Sequence, residues 1–195
     1  MICLVRHGQT ALNRAKVLQG RSDPPLNEIG RQQARKIGAW LRTEGIVFDR
    51  VYSSPLQRAI QTAKQIAGDI PIQTDERLIE MDYGPYEGLD LRRMPPEVLA
   101  FFSDFVHMPA PPGMEPLSSV TNRLGQFLEE RKAEAGEGNL LISTHAIAMK
   151  GALEYLTPES HGAYWGKHIG NCAVYAAEWN EGAASVLFEL AAGLW

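Results

Sequence analysis

The chain is short of cysteine, of long apolar runs and of surplus positive charge, and each shortage removes a class of protein. Its two cysteines, Cys3 and Cys172, both sit in apolar stretches. They are expected to be buried free thiols: two cysteines offer no disulfide framework and alone make no zinc site. The net charge of -4 gives a nucleic-acid backbone nothing to bind. The apolar start, residues 1–5, is too short for a secretory signal and has no basic region before it. No apolar run approaches the ~18 residues that a membrane-spanning helix needs. There is no internal repeat, low-complexity tract or long linker. The expectation is a cytoplasmic protein with neither nucleic acid nor membrane as partner, and with a homodimer left open.

What is present is ordinary globular material. The 195 residues are 45% hydrophobic and 22% charged, enough for one domain spanning 1–195 with a substantial core. Residues 2–5 read as a buried strand. Asn27 caps a helix that runs to about Arg42, with Ala34, Ile37 and Leu41 on one face and Gly45 after its end. A strand over 48–52 is followed by Ser53-Ser54-Pro55, which predicts a helix with Ser54 as N-cap and Pro55 in its first position, ending at Gly68. Residues 70–74 read as a further strand. The stretch 84–116 is proline-rich and irregular, with a short helix over about 97–105; it reads as an inserted cap. Val120, Leu124, Phe127 and Leu128 mark an amphipathic helix. A strand over 139–143, a helix over 146–156 and a hairpin of 173–179 with 184–190 around Asn180-Glu181-Gly182 complete the chain. Strands alternating with helices argue for a three-layer α/β/α sandwich with a mostly parallel central sheet.

Three polar clusters share one placement, each directly after a strand: Arg6-His7, Ser53 through Arg58, and Ser143-Thr144-His145. Carboxyl ends of parallel strands line up along one sheet edge, where ligands bind. His7, Arg58 and His145 can therefore converge. Arginine suits phosphate because its planar fork donates two hydrogen bonds at once. Helix starts near residues 55 and 146 would add backbone donors. Each residue alone has a plain structural reading, a histidine beside a strand or a solvated arginine on a helix; it is their joint placement that describes an anion site with a nucleophile beside it.

The segment Leu4-Val5-Arg6-His7-Gly8-Gln9-Thr10 with Asn13 resembles the signature of the histidine phosphatase family, which also holds the cofactor-dependent phosphoglycerate mutases. The resemblance continues through Gln19-Gly20, Asp23 with Pro25-Leu26-Asn27, Gly30 and Gln33-Ala34, Ser53-Ser54-Pro55-Leu56 with Arg58, Leu78 with Glu80, Glu87-Gly88, and Ser143 with His145. It departs where a glycine usually follows the second histidine, here Ala146, and where the family's Gly-Glu-Ser block appears as Gly113-Met114-Glu115-Pro116. It implies a phosphoglycerate mutase-like fold, His7 as nucleophile, Glu80 as proton donor, and Arg6, Arg58 and His145 as the phosphate pocket. Asn13, Gln19, Gly20 and Ala146 are implied as substrate-binding positions. On residues alone Glu80 is not separable from Asp82.

Imidazole attacks phosphorus only from an unprotonated nitrogen, and neighbouring arginines should favour that form of His7. The arginines can neutralise the transferred group, so neither metal nor cofactor is expected. His107, His161 and His168 lack metal-ligand spacing. His168 and Asn171 are candidates to line the pocket, and Tyr83, Met108, Met114 and Trp165 to wall it. The expected activity is hydrolysis of a small phosphorylated metabolite. The alternatives are a phosphoglycerate mutase, a phosphate-binding pseudoenzyme and a metal hydrolase; the last would want a carboxylate-rich site rather than an arginine-rich one.

Overall fold

In β1 (Ile2–Arg6) the side chains alternate between two cores. Ile2 and Leu4 join a cluster with Val120, Leu124, Phe127 and Leu128, whereas Cys3 and Val5 join one with Ala34, Ile37, Leu41, Ala63 and Ile66. A strand buried on both faces needs a cover on each side, and that requirement produces the three layers. The computed structural model describes residues 1–180 and 183–190. Its sheet contains β1, β2 (Arg50–Ser53), β3 (Ile72–Thr74), β4 (Leu140–Thr144), β5 (Val174–Asn180) and β6 (Ala183–Leu190), in the order β3-β2-β4-β1-β5-β6. The pairs β1–β4, β2–β4 and β2–β3 are parallel, and β5 runs antiparallel to both β1 and β6. The sheet is therefore mixed, with its parallel part where the three polar clusters lie. The hairpin forms as expected, and the turn residues Glu181 and Gly182 lie outside the described residues.

One face is covered by α2 (Glu28–Thr43) and α3 (Gln57–Ala67), the other by α5 (Leu117–Glu137) and α6 (Ala146–Leu156). Asn27 caps α2 as the sequence predicts, its side chain accepting from the Gly30 N–H at 2.8 Å. A short helix, α1 (Ala11–Ala15), follows the first cluster; α4 (Pro96–Ser103) lies in the proline-rich stretch and α7 (Ala163–Gly166) precedes β5. Two glycines let the loop after β1 lie on the first turn of α2. A Cβ on Gly8 would sit 2.5 Å from the Gly30 carbonyl oxygen, and one on Gly30 would sit 2.1 Å from that of Gln9. Among the described residues no helix is long and apolar enough to cross a membrane.

Among the boundaries that differ from the sequence reading, two lie beside the second polar cluster. The expected helix start at Ser54-Pro55 moves to Gln57, and Leu56 caps it without a side-chain bond. The Ser54 hydroxyl is engaged by His145 instead, at 2.8 Å, and meets the Leu56 N–H only at 3.3 Å. The second strand begins at Arg50 rather than 48, although Phe48 is buried in the core beside it.

Candidate active site

Register brings the two histidines together. Arg6 pairs with Thr144 across β1 and β4, so His7 and His145 are the next residues on neighbouring parallel strands. Adjacent strands lie roughly 4.8 Å apart, and the two rings lie 5.1 Å apart, centroid to centroid. The His7 N–H donates to the Thr144 carbonyl at 3.0 Å, and the Ser54 N–H to that of Ser143 at 2.9 Å. The carboxyl ends of β1, β2 and β4 are thereby fixed to one another.

The His7 ring is oriented by its own loop. Nδ1 lies 2.7 Å from the Gly8 carbonyl oxygen, which can only accept, so Nδ1 carries the proton and Nε2 keeps a lone pair. Gly8 is held in turn, its N–H donating to Thr62 Oγ1 at 3.0 Å. Asn171 Nδ2 donates to the His7 carbonyl at 3.0 Å and to Asn13 Oδ1 at 3.2 Å. Burial, then Arg6 and Arg58, hold the His7 ring well below the usual imidazole pKa. Burial, Arg58, His7 and Arg6 do the same to His145.

Arg58 stands in the first turn of α3, fully buried, and donates to the carbonyls of Ser22 at 2.6 Å and Gly20 at 2.7 Å. Burial brings it down to about 10, so it stays a cation at any working pH. The loop that grips it is itself gripped. The Glu87 carboxylate accepts from the N–H groups of Gly20, Arg21 and Ser22 and from the Ser22 hydroxyl. Arg6 donates to the Ile169 carbonyl at 2.5 Å, and burial lowers its pKa too.

Glu80, 3% exposed, receives the Met81 and Ala148 N–H groups on Oε1 and the Ile147 N–H on Oε2. It sits at the N-terminus of α6, where its oxygens accept from first-turn amides that have no intrahelical partner. Its segment is fixed by the Thr144 hydroxyl donating to Leu78 and by Arg123 donating to Arg77 and Ile79. Asp82, its rival in the sequence, instead accepts from the Gly84 N–H in an exposed turn. Geometry therefore separates the two carboxylates.

Among the described residues, the buried side-chain nitrogens without a hydrogen-bond partner are Arg6 Nε, Gln19 Nε2, Arg58 Nε, His145 Nδ1 and Arg131 Nε. Four of these five belong to residues the sequence singled out. Buried donors are nearly always paired; the unused nitrogens of Arg6, Gln19 and Arg58 can only donate, and His145 Nδ1 donates in the tautomer whose Nε2 accepts from Ser54, which suits them to an acceptor. Gln19 is oriented by the Thr10 hydroxyl, which donates to its Oε1 at 2.6 Å. Ala146 opens α6 with an N–H that has no intrahelical partner, whereas the N–H of Gly20 is taken by Glu87. Among the described residues no cluster of His, Cys, Asp and Glu could hold a metal.

Next to these residues lies a cavity of about 470 Å³. Arg6, Ala146, Tyr83, Phe105, Lys150 and Trp165 are among its walls, and His168 also faces it. Of the other expected wall residues, Met114 is buried in the core and Met108 is 40% exposed. His107 pairs with Asp104 at the surface. The sequence does not single out Ser54 as the partner of His145, Thr62 as the anchor of Gly8, or Arg123, and it assigns Lys150 no role. None carries a local signal, because each acts across a long sequence separation.

The fold is a doubly covered α/β domain whose parallel strands carry buried, unpartnered arginine and histidine nitrogens at their carboxyl ends. The chain belongs to the histidine phosphatase superfamily, branch 1, whose model matches residues 2–189. It is 33% identical to a 2,3-bisphosphoglycerate-dependent phosphoglycerate mutase of Parvibaculum lavamentivorans, over 77% of this chain and 76% of that protein. It is 32% identical to phosphoserine phosphatase 1 of Hydrogenobacter thermophilus, over 76% of this chain and 72% of that one. The fold matches a crystal structure of phosphoserine phosphatase from Entamoeba histolytica in complex with 3-phosphoglyceric acid, with a TM-score of 0.85, 24% identity, and 98% and 97% of the two chains covered.

Proposed function

We propose that the protein is a metal-independent phosphatase that hydrolyses small phosphate monoesters through a phosphohistidine on His7. The observation that carries this reading is the tautomer of His7: Nδ1–H is spent on Gly8, which leaves the Nε2 lone pair on a ring 5.1 Å from that of His145 and in the field of Arg6 and Arg58. In the first step Nε2 attacks phosphorus and the ester P–O bond breaks. The electron pair goes to the leaving oxygen, which takes a proton from the Glu80 carboxyl. In the second step water attacks the phosphohistidine, Glu80 accepts the water's proton, and the P–N pair returns to Nε2. Glu80 Oε2 accepts a single backbone bond and so has a lone pair free to carry the proton. The Gly8 carbonyl stabilises the imidazolium formed in between.

Charge on the phosphoryl oxygens is met by Arg6 and Arg58. A charge pair at ~4 Å is worth roughly 4 kcal/mol at an effective dielectric of ~20. Donors from His145 Nδ1, Gln19 Nε2 and the Ala146 N–H complete the pocket, and Gly20 contributes through its carbonyl on Arg58. Asn13 acts through Asn171, which holds the His7 backbone. Residues 84–116 form a cap on the leaving-group side of this single domain. Cys3 and Cys172 are buried free thiols pushed up to about 12, which suits a reducing, cytoplasmic setting.

A relative named as a mutase makes isomerisation the second reading. A mutase must hold a bisphosphorylated species away from water with extra basic groups. Of the basic groups in the stretch 84–116, Arg92 is spent on Asp90 and His107 on Asp104, which leaves Arg93, with Lys150 on the cavity wall, for a second phosphate. The test supplies 3-phosphoglycerate with catalytic 2,3-bisphosphoglycerate, and p-nitrophenyl phosphate separately, each with and without EDTA. Phosphate release unaffected by EDTA, with negligible 2-phosphoglycerate, is the expected result. Fast isomerisation with little phosphate release replaces this reading with the mutase. Loss of rate in EDTA, restored by a divalent ion, removes metal independence.

A further inference from the structure

We propose that Lys150 is a specificity-determining residue: its ammonium, on the inner wall of the leaving-group cavity, receives a carboxylate carried by the alcohol part of the substrate. This rests on the phosphatase reading and names what that same site selects.

Lys150 lies one turn after Ala146 on α6, so the two share a helix face with Cβ atoms about 5–6 Å apart. Long helical side chains lean back toward the helix N-terminus, here toward the phosphate pocket. Both residues line the cavity together with Arg6. The lysine is only 7% exposed. Its Nζ donates to the Trp165 carbonyl at 2.6 Å and stands 4.7 Å from the centroid of the Phe105 ring. An ammonium has three donors, and the carbonyl uses one.

Charged groups this deep are normally paired. The neighbouring acids are occupied elsewhere. Glu80 acts on Lys150 through space, but its oxygens are held by three backbone N–H groups. Asp104 faces the cavity from the cap and is bound to His107. Lys167, also on the wall, is neutralised by Glu189. Burial brings the Lys150 ammonium down to about 8, which leaves it mainly charged at neutral pH. A purely structural tie to Trp165 would need neither a charge nor a place on the cavity wall. The short span from Ala146 to Lys150 sets a spacing of a few bonds between phosphate and carboxylate, as in a phosphorylated small hydroxy or amino acid.

Phosphoserine and phosphoethanolamine differ only by the carboxylate, and their kcat/KM ratio cancels whatever a variant does to the common chemistry. The native protein is expected to favour phosphoserine by about tenfold or more, the size of one charge-assisted hydrogen bond. In Lys150→Met, and in Lys150→Gln should the first variant not fold, the ratio should fall to within about twofold of one, whereas Lys150→Arg should keep part of it. Calorimetric binding of the two esters to His7→Ala protein makes the same comparison without turnover. A native ratio near one, or a ratio unchanged by Lys150→Met, overturns the assignment while p-nitrophenyl phosphate is still hydrolysed. Failure to hydrolyse any ester strikes the phosphatase reading instead, and the binding comparison then decides Lys150 alone.

Discussion

On the proposed phosphate side of the pocket, His7, Arg58 and Glu80 are held chiefly by backbone groups. His7 is held by the Gly8 and Thr144 carbonyls and by Asn171, Arg58 by two carbonyls of the 20–22 loop, and Glu80 by three N–H groups. On the leaving-group side the wall is packed side chain: Phe105 meets Phe102 at 5.4 Å and Trp165 at 6.2 Å between centroids, with Val106 beside them 52% exposed. Backbone hydrogen bonds constrain geometry to a few tenths of an ångström, while aromatic packing tolerates exchange of one ring for another. The first side can preserve a reaction across many sequences, and the second can change substrate without disturbing it. A shared family with relatives named both as mutase and as phosphatase fits that division.

Arg58→Ala tests the phosphate side most severely. Removing a preorganised charge that stabilises the transition state should lower kcat by ~10²–10³. Raised KM with unchanged kcat would mean that Arg58 binds only the ground state. The same variant should move the acid limb of kcat/KM. His7 must be unprotonated, and Arg58 is one cause of its lowered pKa. Without that cation the His7 pKa rises toward the ordinary value, so activity is lost at a higher pH than in the native protein. The shift is partial, because burial is the larger cause.

Glu80→Gln should slow alkyl phosphates by about 10², and p-nitrophenyl phosphate by much less, since general acid catalysis helps most where the leaving oxygen is basic. Equal losses on both would remove Glu80 from the role of acid. Ser54→Ala should cost about fivefold to tenfold in kcat with little change in KM, the worth of one net hydrogen bond orienting His145. A change in thermal stability with kcat intact would make Ser54 merely structural. Smallest of all, Phe102→Ala should alter KM among esters and leave kcat for p-nitrophenyl phosphate within about threefold, as packing on the leaving-group side predicts. A large kcat loss there would erase the distinction between the two sides.

The phosphate side was largely legible in the sequence, because strand ends and helix starts obey local rules. Asn27 caps α2 and α6 spans residues 146–156 as expected, and the three polar clusters meet because their strands are parallel neighbours. Ser54 shows where local rules fail. Ser-Pro before a helix reads as a cap, but its hydroxyl is taken by a histidine 91 residues away. Glu80 and Asp82 could not be told apart from residues alone, since the contacts that tuck Glu80 under α6 come from Thr144 and Arg123. The residues around Lys150 in its otherwise apolar helix assign it no role at the site, because its burial depends on α7 and on Phe105. Side-chain packing between distant segments leaves no periodic trace, so the specificity side is the part that had to be seen.

The central claim is the covalent intermediate on His7. Native protein mixed with p-nitrophenyl phosphate, quenched in alkali during turnover and digested, should yield a phosphoryl group on the peptide containing His7. The group should be lost on acid treatment, as a P–N bond requires, and should be absent from His7→Ala protein, which should fold normally and turn over nothing. A phosphoryl group on any other side chain, or sustained hydrolysis by His7→Ala, would contradict the account.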